Sequence, residues 1–96
     1  MAIKSFDCKI SEAFFNTGRS GKGGWGNCSK AAERKLDMLE AAVSLQDLKS
    51  PPGNHLEALK GNLVGCHSIK VNDQWRIVFK WTDEGPTKVR ICDYHD

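Results

Sequence analysis

The chain has 96 residues, of which 40% are hydrophobic and 27% are charged, a composition typical of one small soluble domain with its own core. Its formal net charge of +2 does not require a broad electrostatic grip on nucleic acid. No apolar run approaches the roughly 20 residues of a membrane-spanning helix, and no secretory signal is visible, so we expect a cytoplasmic protein with no membrane contact.

The amino-terminal segment is predicted to form a short strand and a short helix. Residues 3–6 read as an opening strand. Ser11 is placed to cap a helix that runs to Asn16, because its hydroxyl can accept hydrogen bonds from free amides of the first turn. Gly18 is a suitable end point, since glycine takes the left-handed conformation at little cost.

Residues 18–27 are half glycine, so chain entropy predicts a flexible loop within a single domain of residues 1–96. The letters GKGGWG match the glycine pattern of dinucleotide-binding folds. That pattern needs a preceding strand and a β-α-β unit, for which this chain is too short. A phosphate-binding P-loop is excluded as well, because glycine follows Lys22 where that motif needs Ser or Thr.

An apolar stripe with helical spacing predicts the main helix over residues 29–44. The stripe consists of Ala32, Leu36, Leu39 and Val43. Residues 45–48 are predicted to form a further helical turn. The prolines at positions 51 and 52 then break the chain, because they remove amide donors and fix φ.

The remaining chain is predicted to be sheet. Strands are expected at residues 56–59, 66–71, 75–81 and 88–93, with turns at 72–74 and 82–86. In the third of these strands the large apolar side chains share one face: Trp75, Ile77, Phe79 and Trp81. Arg76, Val78 and Lys80 share the other face. The expected fold is therefore α+β, a twisted antiparallel sheet with the N-terminal helices packed on one face.

Arg76 is the first candidate for chemistry. Its guanidinium is always charged and can hold two phosphate oxygens at once, and a strand position restricts its motion. The competing interpretation is a surface arginine paired with a neighbouring acid. Lys60, Lys70 and Lys80 lie in the same part of the sequence and predict a local basic face that attracts polyanions, although a solvated sheet surface would have the same composition.

The carboxyl end offers three more candidates. His95 titrates near neutral pH and can transfer protons, and Asp93 can orient that imidazole or transfer a proton itself. Tyr94 adds a hydroxyl and a ring on which a base can stack. The competing interpretation is a frayed polar tail. If these groups meet Arg76 on one face, they indicate metal-free chemistry on a phosphodiester, and therefore on RNA.

The four cysteines are expected to be reduced thiols. Cys92 and His95 together with Cys66 and His67 offer zinc ligands, but their spacings match no common structural zinc motif. We therefore expect neither a metal nor another cofactor.

The chain resembles the HigB toxins, a branch of the RelE superfamily of bacterial type II toxin–antitoxin systems, over nearly its whole length. The motifs that carry the resemblance are Ser50-Pro51-Pro52-Gly53-Asn54, Leu59-Lys60-Gly61, His67-Ser68-Ile69 with Val71-Asn72, Gln74-Trp75-Arg76-Ile77 and Asp93-Tyr94-His95. The resemblance implies a RelE-like fold and a metal-independent endoribonuclease that cuts mRNA on the translating ribosome and arrests growth. It also implies a HigA-like helix-turn-helix antitoxin as partner, with operator DNA contacted only through that antitoxin.

The resemblance assigns the catalytic positions to Lys60, Arg76, Asp93, Tyr94 and His95. We add four residues as expected RNA contacts: His55, Glu57, Lys70 and Lys80. Glu57 stands where some members of the family carry histidine. His55 is two positions away, and a period of two would leave it on the same strand face.

Two rival interpretations of the function stay open, a non-catalytic RNA- or ribosome-binding translation inhibitor and an inert scaffold for the antitoxin. A His95→Ala variant would distinguish the first of these from a nuclease, since a binding module should tolerate the substitution and a nuclease should lose turnover.

Overall fold

In the computed structural model, which describes residues 2–19, 21 and 23–93, two helices pack on one face of a four-stranded antiparallel sheet, as predicted. The helices are α1 (Lys9–Thr17) and α2 (Ser29–Ala41). The strands lie side by side in chain order: β1 (Glu57–Ala58), β2 (Cys66–Lys70), β3 (Trp75–Thr82) and β4 (Gly85–Asp93). Short 3-10 helices occupy Gly26–Cys28, Leu45–Lys49, Pro52–Asn54 and Gly61–Leu63. No helix of these described ranges is both long and apolar enough to cross a membrane.

The main core lies between the sheet and α2. Ile77 and Phe79 of β3 are fully buried against Leu36 and Leu39, which belong to the predicted apolar stripe. Because side chains alternate along a strand, every second residue of β3 reaches this core. We call this side of the sheet the helix face. The predicted division of β3 into two faces is confirmed.

The amino-terminal segment forms an isolated parallel bridge rather than the predicted strand. Phe6 pairs with Val89 of β4, and the amide of Asp7 donates to the carbonyl of Val89 at 2.9 Å. The amide of Val89 in turn donates to the carbonyl of Ser5 at 3.1 Å. Residues 4–7 therefore run along the outer side of β4 without forming a full ladder.

The prediction that Ser11 caps α1 is wrong. The cap position belongs to Cys8, and Ser11 lies within the first turn, fully buried. Its hydroxyl oxygen accepts a hydrogen bond from the amide of Ile91 at 3.0 Å. A tertiary partner on β4 thus replaces the local capping partners. At the other end, Gly18 adopts the left-handed conformation with φ of 78°, so the predicted end of the helix is confirmed to within one residue.

Trp25 anchors the end of the glycine-rich segment. Its side chain is 2% exposed, and its ring makes edge contacts with Phe14 and Trp75 at centroid distances of 5.5 and 5.8 Å. Gly24 has a φ of +90°, which strains any other residue, and a Cβ there would lie 3.1 Å from the Trp75 ring and crowd it. The flexibility of residues 18–27 stays a prediction, but Trp25 joins this segment to the core.

The main helix ends three residues earlier than predicted, at Ala41, and Val43 is 68% exposed rather than part of the core. Asp47 gives the reason, because its carboxylate accepts hydrogen bonds from the amides of Val43 and Ser44 at 2.9 and 3.2 Å. Ser44 and Asp47 form a capping box for the Leu45–Lys49 helix. The further helical turn expected at residues 45–48 is thereby confirmed as a 3-10 helix.

The two hairpins follow the predicted turns, with one change of register. β4 begins at Gly85 rather than residue 88, so Gly85 and Pro86 belong to the strand. The ladder between β3 and β4 contains a bulge between Val78 and Lys80, and Lys88 opposite it has a positive φ of 53°. This bulge shifts the register by one residue in the half of β4 that precedes Val89.

Candidate active site

Strand register decides which side chains share the side of Arg76. Arg76 pairs with Lys70 on β2 and with Cys92 on β4, and Val78 pairs with Ser68 and Arg90. Directly paired residues project to the same side of a sheet. We define the arginine face by nine of the paired residues on this side: Glu57, Cys66, Ser68, Lys70, Arg76, Val78, Lys80, Arg90 and Cys92.

The arginine face is predominantly basic. Its cations are Lys70, Arg76, Lys80 and Arg90, and its acid is Glu57. Lys70 forms an ion pair with Asp73 at 3.0 Å in the turn after β2, whereas Lys80 is exposed. Clustered cations on one side of a sheet raise the local concentration of polyanions.

The Arg76 guanidinium is held on two sides. Its Nη1 donates to the hydroxyl oxygen of Ser68 at 2.9 Å and to the backbone carbonyl of His55 at 3.2 Å. Its Nη2 donates to Oε1 of Glu57 at 2.8 Å. The Arg76 side chain is 11% exposed, so it lies in the surface of the sheet and does not extend into solvent. Such a fixed, partly desolvated cation is suited to binding an anion.

Asn54 places the His55 carbonyl beside Arg76. The Asn54 side chain is fully buried, and its Nδ2 donates to the carbonyls of Leu48 and Ser50 at 3.2 and 3.4 Å. Its Oδ1 accepts a hydrogen bond from Lys35 of α2. These bonds fix the Pro52–Asn54 turn to the helix layer, and the next residue is His55. The buried amide therefore supports one of the two acceptors that orient Nη1.

The prediction that His55 and Glu57 share one strand face is wrong. β1 starts at Glu57, and His55 adopts the left-handed conformation with φ of 44°, so alternation along a strand does not apply to it. His55 still contributes to the site through its carbonyl. Glu57 contributes its carboxylate, which is the partner of Arg76 in the ion pair.

Lys60 lies toward the other end of β2 from Arg76. The amide of Leu59 donates to the carbonyl of Cys66 at 2.9 Å, which fixes where the chain leaves the ladder before Lys60. Arg76 pairs with Lys70, four residues along β2 from Cys66. At the usual rise per strand residue, this separation is about 13 Å along the strand. The Lys60 side chain is exposed, and it must extend along the sheet to approach Arg76.

The structure separates Asp93 from Arg76. Asp93 pairs with Trp75, which projects to the helix face, and its Oδ2 accepts a hydrogen bond from Nε2 of Gln74 at 2.9 Å. Asp93 therefore lies at the same end of the sheet as Arg76 but on the opposite face, contrary to the expectation that both share one face. Tyr94 and His95, the other two predicted terminal residues, lie outside the described residues.

Cys92 is the neighbour of Arg76 on β4. Burial raises the pKa of its thiol, and the charge of Asp93 acts in the same direction, while the charges of Arg90 and Arg76 partly oppose them. Among the described residues, no group of three or more His, Cys, Asp or Glu side chains is arranged to hold a metal ion. The alternative zinc set included His95, which lies outside that part of the chain.

Sequence reasoning missed two residues of the arginine face. Ser68 is fully buried and accepts a hydrogen bond from Arg76, but a single serine in a strand gives no signal of that role. Arg90 was detectable, because Lys88, Arg90 and Cys92 alternate with Val89 and Ile91. That alternation predicts a second charged position on the side opposite the core.

Comparisons with known proteins agree with the resemblance. A family described as the RelE-like toxin of the type II toxin–antitoxin system HigB matches residues 4–95. Toxin HigB-1 of Vibrio cholerae is 54% identical over 50 residues, covering 52% of this chain and 53% of that protein. An uncharacterised protein of Haemophilus influenzae is 46% identical over 55 residues, covering 57% of this chain and 54% of that protein. The matched part thus spans about half the length of these curated relatives.

Solved structures share the fold. A YoeB–YefM complex from Staphylococcus aureus contains a chain with a TM-score of 0.56 at 18% identity, and a YoeB dimer from the same species gives 0.55 at 20%. These matches cover all of this chain and 100% and 98% of those chains. A YoeB/ParE toxin from Agrobacterium tumefaciens gives 0.53 at 18%, with full coverage of both chains. Since the family match includes almost the whole sequence and the fold agrees, the chain belongs to the HigB-like family of RelE-like toxins.

Proposed function

We propose that this protein is a metal-independent endoribonuclease that cleaves mRNA on the translating ribosome and thereby arrests growth. The observation that carries the proposal is the restrained guanidinium of Arg76. It is oriented by Ser68 and His55 and already binds one anionic group, the carboxylate of Glu57. A cation held in a fixed position can stabilise the negative charge that develops on the phosphate in the transition state.

The proposed reaction is attack of a ribose 2′-hydroxyl on the adjacent phosphate. It breaks the bond from phosphorus to the 5′-oxygen and leaves a 2′,3′-cyclic phosphate and a 5′-hydroxyl. Arg76 stabilises the negative charge on the phosphate, assisted by Lys60. His95 or Asp93 transfers protons, and Tyr94 positions a base or the attacking hydroxyl. Glu57 is a third candidate for proton transfer.

Substrate binding is proposed to use the rest of the arginine face. Lys70 and Lys80 lie on the same side of the sheet as Arg76, which supports the proposal that they contact phosphates of the bound RNA. His55 and Glu57 border the same position. Asp93 lies on the other face of the sheet, so an RNA that contacts both Arg76 and Asp93 must pass around the end of the sheet. The ribosome is proposed to hold the mRNA in this path, with the geometry that in-line attack requires.

The proposed partner is a HigA-like antitoxin with a helix-turn-helix domain, which neutralises the toxin in the cytoplasm and connects it to operator DNA. Family membership supports this partner. One structural neighbour is itself a YoeB–YefM complex.

The test is to express wild-type protein and Arg76→Ala without an antitoxin and to map RNA 5′ ends. We expect wild type to create new ends with 5′-hydroxyls and Arg76→Ala to cleave about 10²–10³-fold more slowly. Thermal unfolding of both proteins checks that the variant is folded. Undiminished cleavage by Arg76→Ala would contradict a catalytic Arg76.

A second candidate function is a translation inhibitor that occupies RNA or the ribosome without cutting. The placement of Asp93 on the opposite face from Arg76 favours it, because this one candidate for proton transfer does not share the side of the guanidinium. The same experiment separates the two functions. An occupancy mechanism stops translation but creates no new RNA ends.

A further inference from the structure

The ion pair between Arg76 and Glu57 is asymmetric. Nη2 of Arg76 and Oε1 of Glu57 are 2.8 Å apart, but the arginine side chain is 11% exposed whereas the glutamate side chain is 49% exposed. A half-exposed glutamate is already partly hydrated, so it can leave the arginine and enter water at little cost in free energy. The buried partner is the fixed one, and the exposed partner is the replaceable one.

The position of Arg76 does not depend on Glu57. Its Nη1 is bound by the hydroxyl oxygen of Ser68, which is fully buried, and by the backbone carbonyl of His55. Both acceptors are neutral oxygens held by the fold, so they stay in place when the carboxylate leaves. An anion that replaces the Glu57 carboxylate can then accept a hydrogen bond from Nη2 with the same geometry.

A carboxylate and a phosphate are bound by a guanidinium through the same N–H donors, and each places an oxygen about 2.7–2.9 Å from nitrogen. Oε1 of Glu57 therefore stands where a phosphate oxygen would bind. We propose that Glu57 is an internal competitor, an autoinhibitory contact that an RNA phosphate must displace from Arg76. This inference rests on the proposed function.

The contact has two consequences for binding. The phosphate must break the ion pair between Arg76 and Glu57. It must also approach a face whose net positive charge is reduced by the Glu57 carboxylate. Exposed ion pairs are weak, so the competition is modest. Removing the negative charge should tighten RNA binding by about 2- to 5-fold at low ionic strength, and salt should reduce the gain.

The experiment measures affinity for a 2′-O-methyl oligoribonucleotide, which keeps the phosphates but lacks the attacking hydroxyl. Wild type is compared with Glu57→Gln, and Glu57→Ala serves as a second variant without a side-chain acceptor. Asp73→Asn is the matched control, since it removes the same charge from an exposed carboxylate paired with Lys70 on the same face. We expect both Glu57 variants to bind more tightly than wild type and than Asp73→Asn.

An Arg76→Ala background sharpens the test. There Glu57 has no guanidinium to occupy, so Glu57→Gln should add no more affinity than Asp73→Asn adds. Equal or weaker binding by the Glu57 variants in the wild-type background would overturn the inference alone. Binding of the oligonucleotide by none of the proteins would overturn the inference together with the proposed function.

Discussion

Ser11 of α1 and Ser68 of the arginine face are both fully buried, yet they bind different kinds of partner. Beside the helix layer, the Ser11 hydroxyl accepts a hydrogen bond from the backbone amide of Ile91 at the outer edge of β4. On the arginine face, the Ser68 hydroxyl accepts one from the guanidinium of Arg76. The first serine satisfies the backbone of a strand, and the second orients a charged side chain.

The same division extends along β3. Ile77 and Phe79 are fully buried in the core beneath the helices, whereas Val78 between them is 3% exposed on the side of Arg76. Substitutions on the helix face should therefore change mainly the stability of the protein. Substitutions on the arginine face should change mainly its chemistry. Adjacent residues of one strand can test this difference.

Ile77→Ala is expected to have the largest effect on folding. It removes a fully buried side chain from the main core and should lower the free energy of unfolding by about 2–5 kcal/mol. Val78→Ala is the matched control, because Val78 is buried on the arginine face and is not among the described members of that core cluster. Urea unfolding measures both. Equal losses from the two variants would contradict the division between the faces.

Ser68→Ala is expected to slow the proposed RNA cleavage about tenfold or more, because the hydrogen bond it removes orients a charged donor. Ser68 acts through Arg76, so kcat should fall more than KM rises. Ser68→Thr keeps the hydroxyl and should retain more of the wild-type kcat.

Ser11→Ala is the control away from the arginine face. It leaves the Ile91 amide without its acceptor and should lower the free energy of unfolding by about 1–3 kcal/mol, with kcat of the folded protein unchanged. A similar fall of kcat in Ser11→Ala and Ser68→Ala would remove the positioning role of Ser68.

The smallest expected effect concerns two thiols. Burial opposes ionisation of Cys8 at the start of α1, but hydrogen bonds from Ser11 and the amide of Ile10, together with the charge of Arg90, lower the pKa of this thiol. Burial raises the pKa of Cys92 on the arginine face. Alkylation by iodoacetamide, followed by mass spectrometry across a pH series, should show a half-maximal rate below pH 9.0 for Cys8 and above pH 9.0 for Cys92. The reverse order would contradict these two environments.

The sequence predicted the elements of the fold best where the pattern of a single element decides the structure. The alternation in β3 and the apolar spacing from Ala32 to Leu39 identified the core correctly. Prediction from the sequence failed where a hydrogen-bond partner outside the element decides the structure. Ser11 bonds to β4 and not to its own helix, and the Asp47 carboxylate ends the main helix before Val43.

The candidate site was predictable in part. The position of Arg76 on the side opposite the helices follows from the alternation in β3. The side of Asp93 also follows from alternation, because residue 93 continues the buried series of Val89 and Ile91, and the bulge beside Lys88 shifts only the half of β4 before Val89. The acceptors of Nη1 of Arg76 were hidden, since one is a backbone carbonyl and the other a lone serine.

The bridge between residues 4–7 and β4 has a further consequence for assembly. A strand at the rim of a sheet normally offers unpaired amides and carbonyls to other chains. Here the carbonyls of Pro86 and Val89 and the amides of Val89 and Ile91 are already bonded to Lys4, Ser5, Asp7 and Ser11. The opposite rim is β1, which is two residues long. Another protein that extends this sheet at β4 must first peel away the amino-terminal segment, so intermolecular strand addition at that rim is disfavoured.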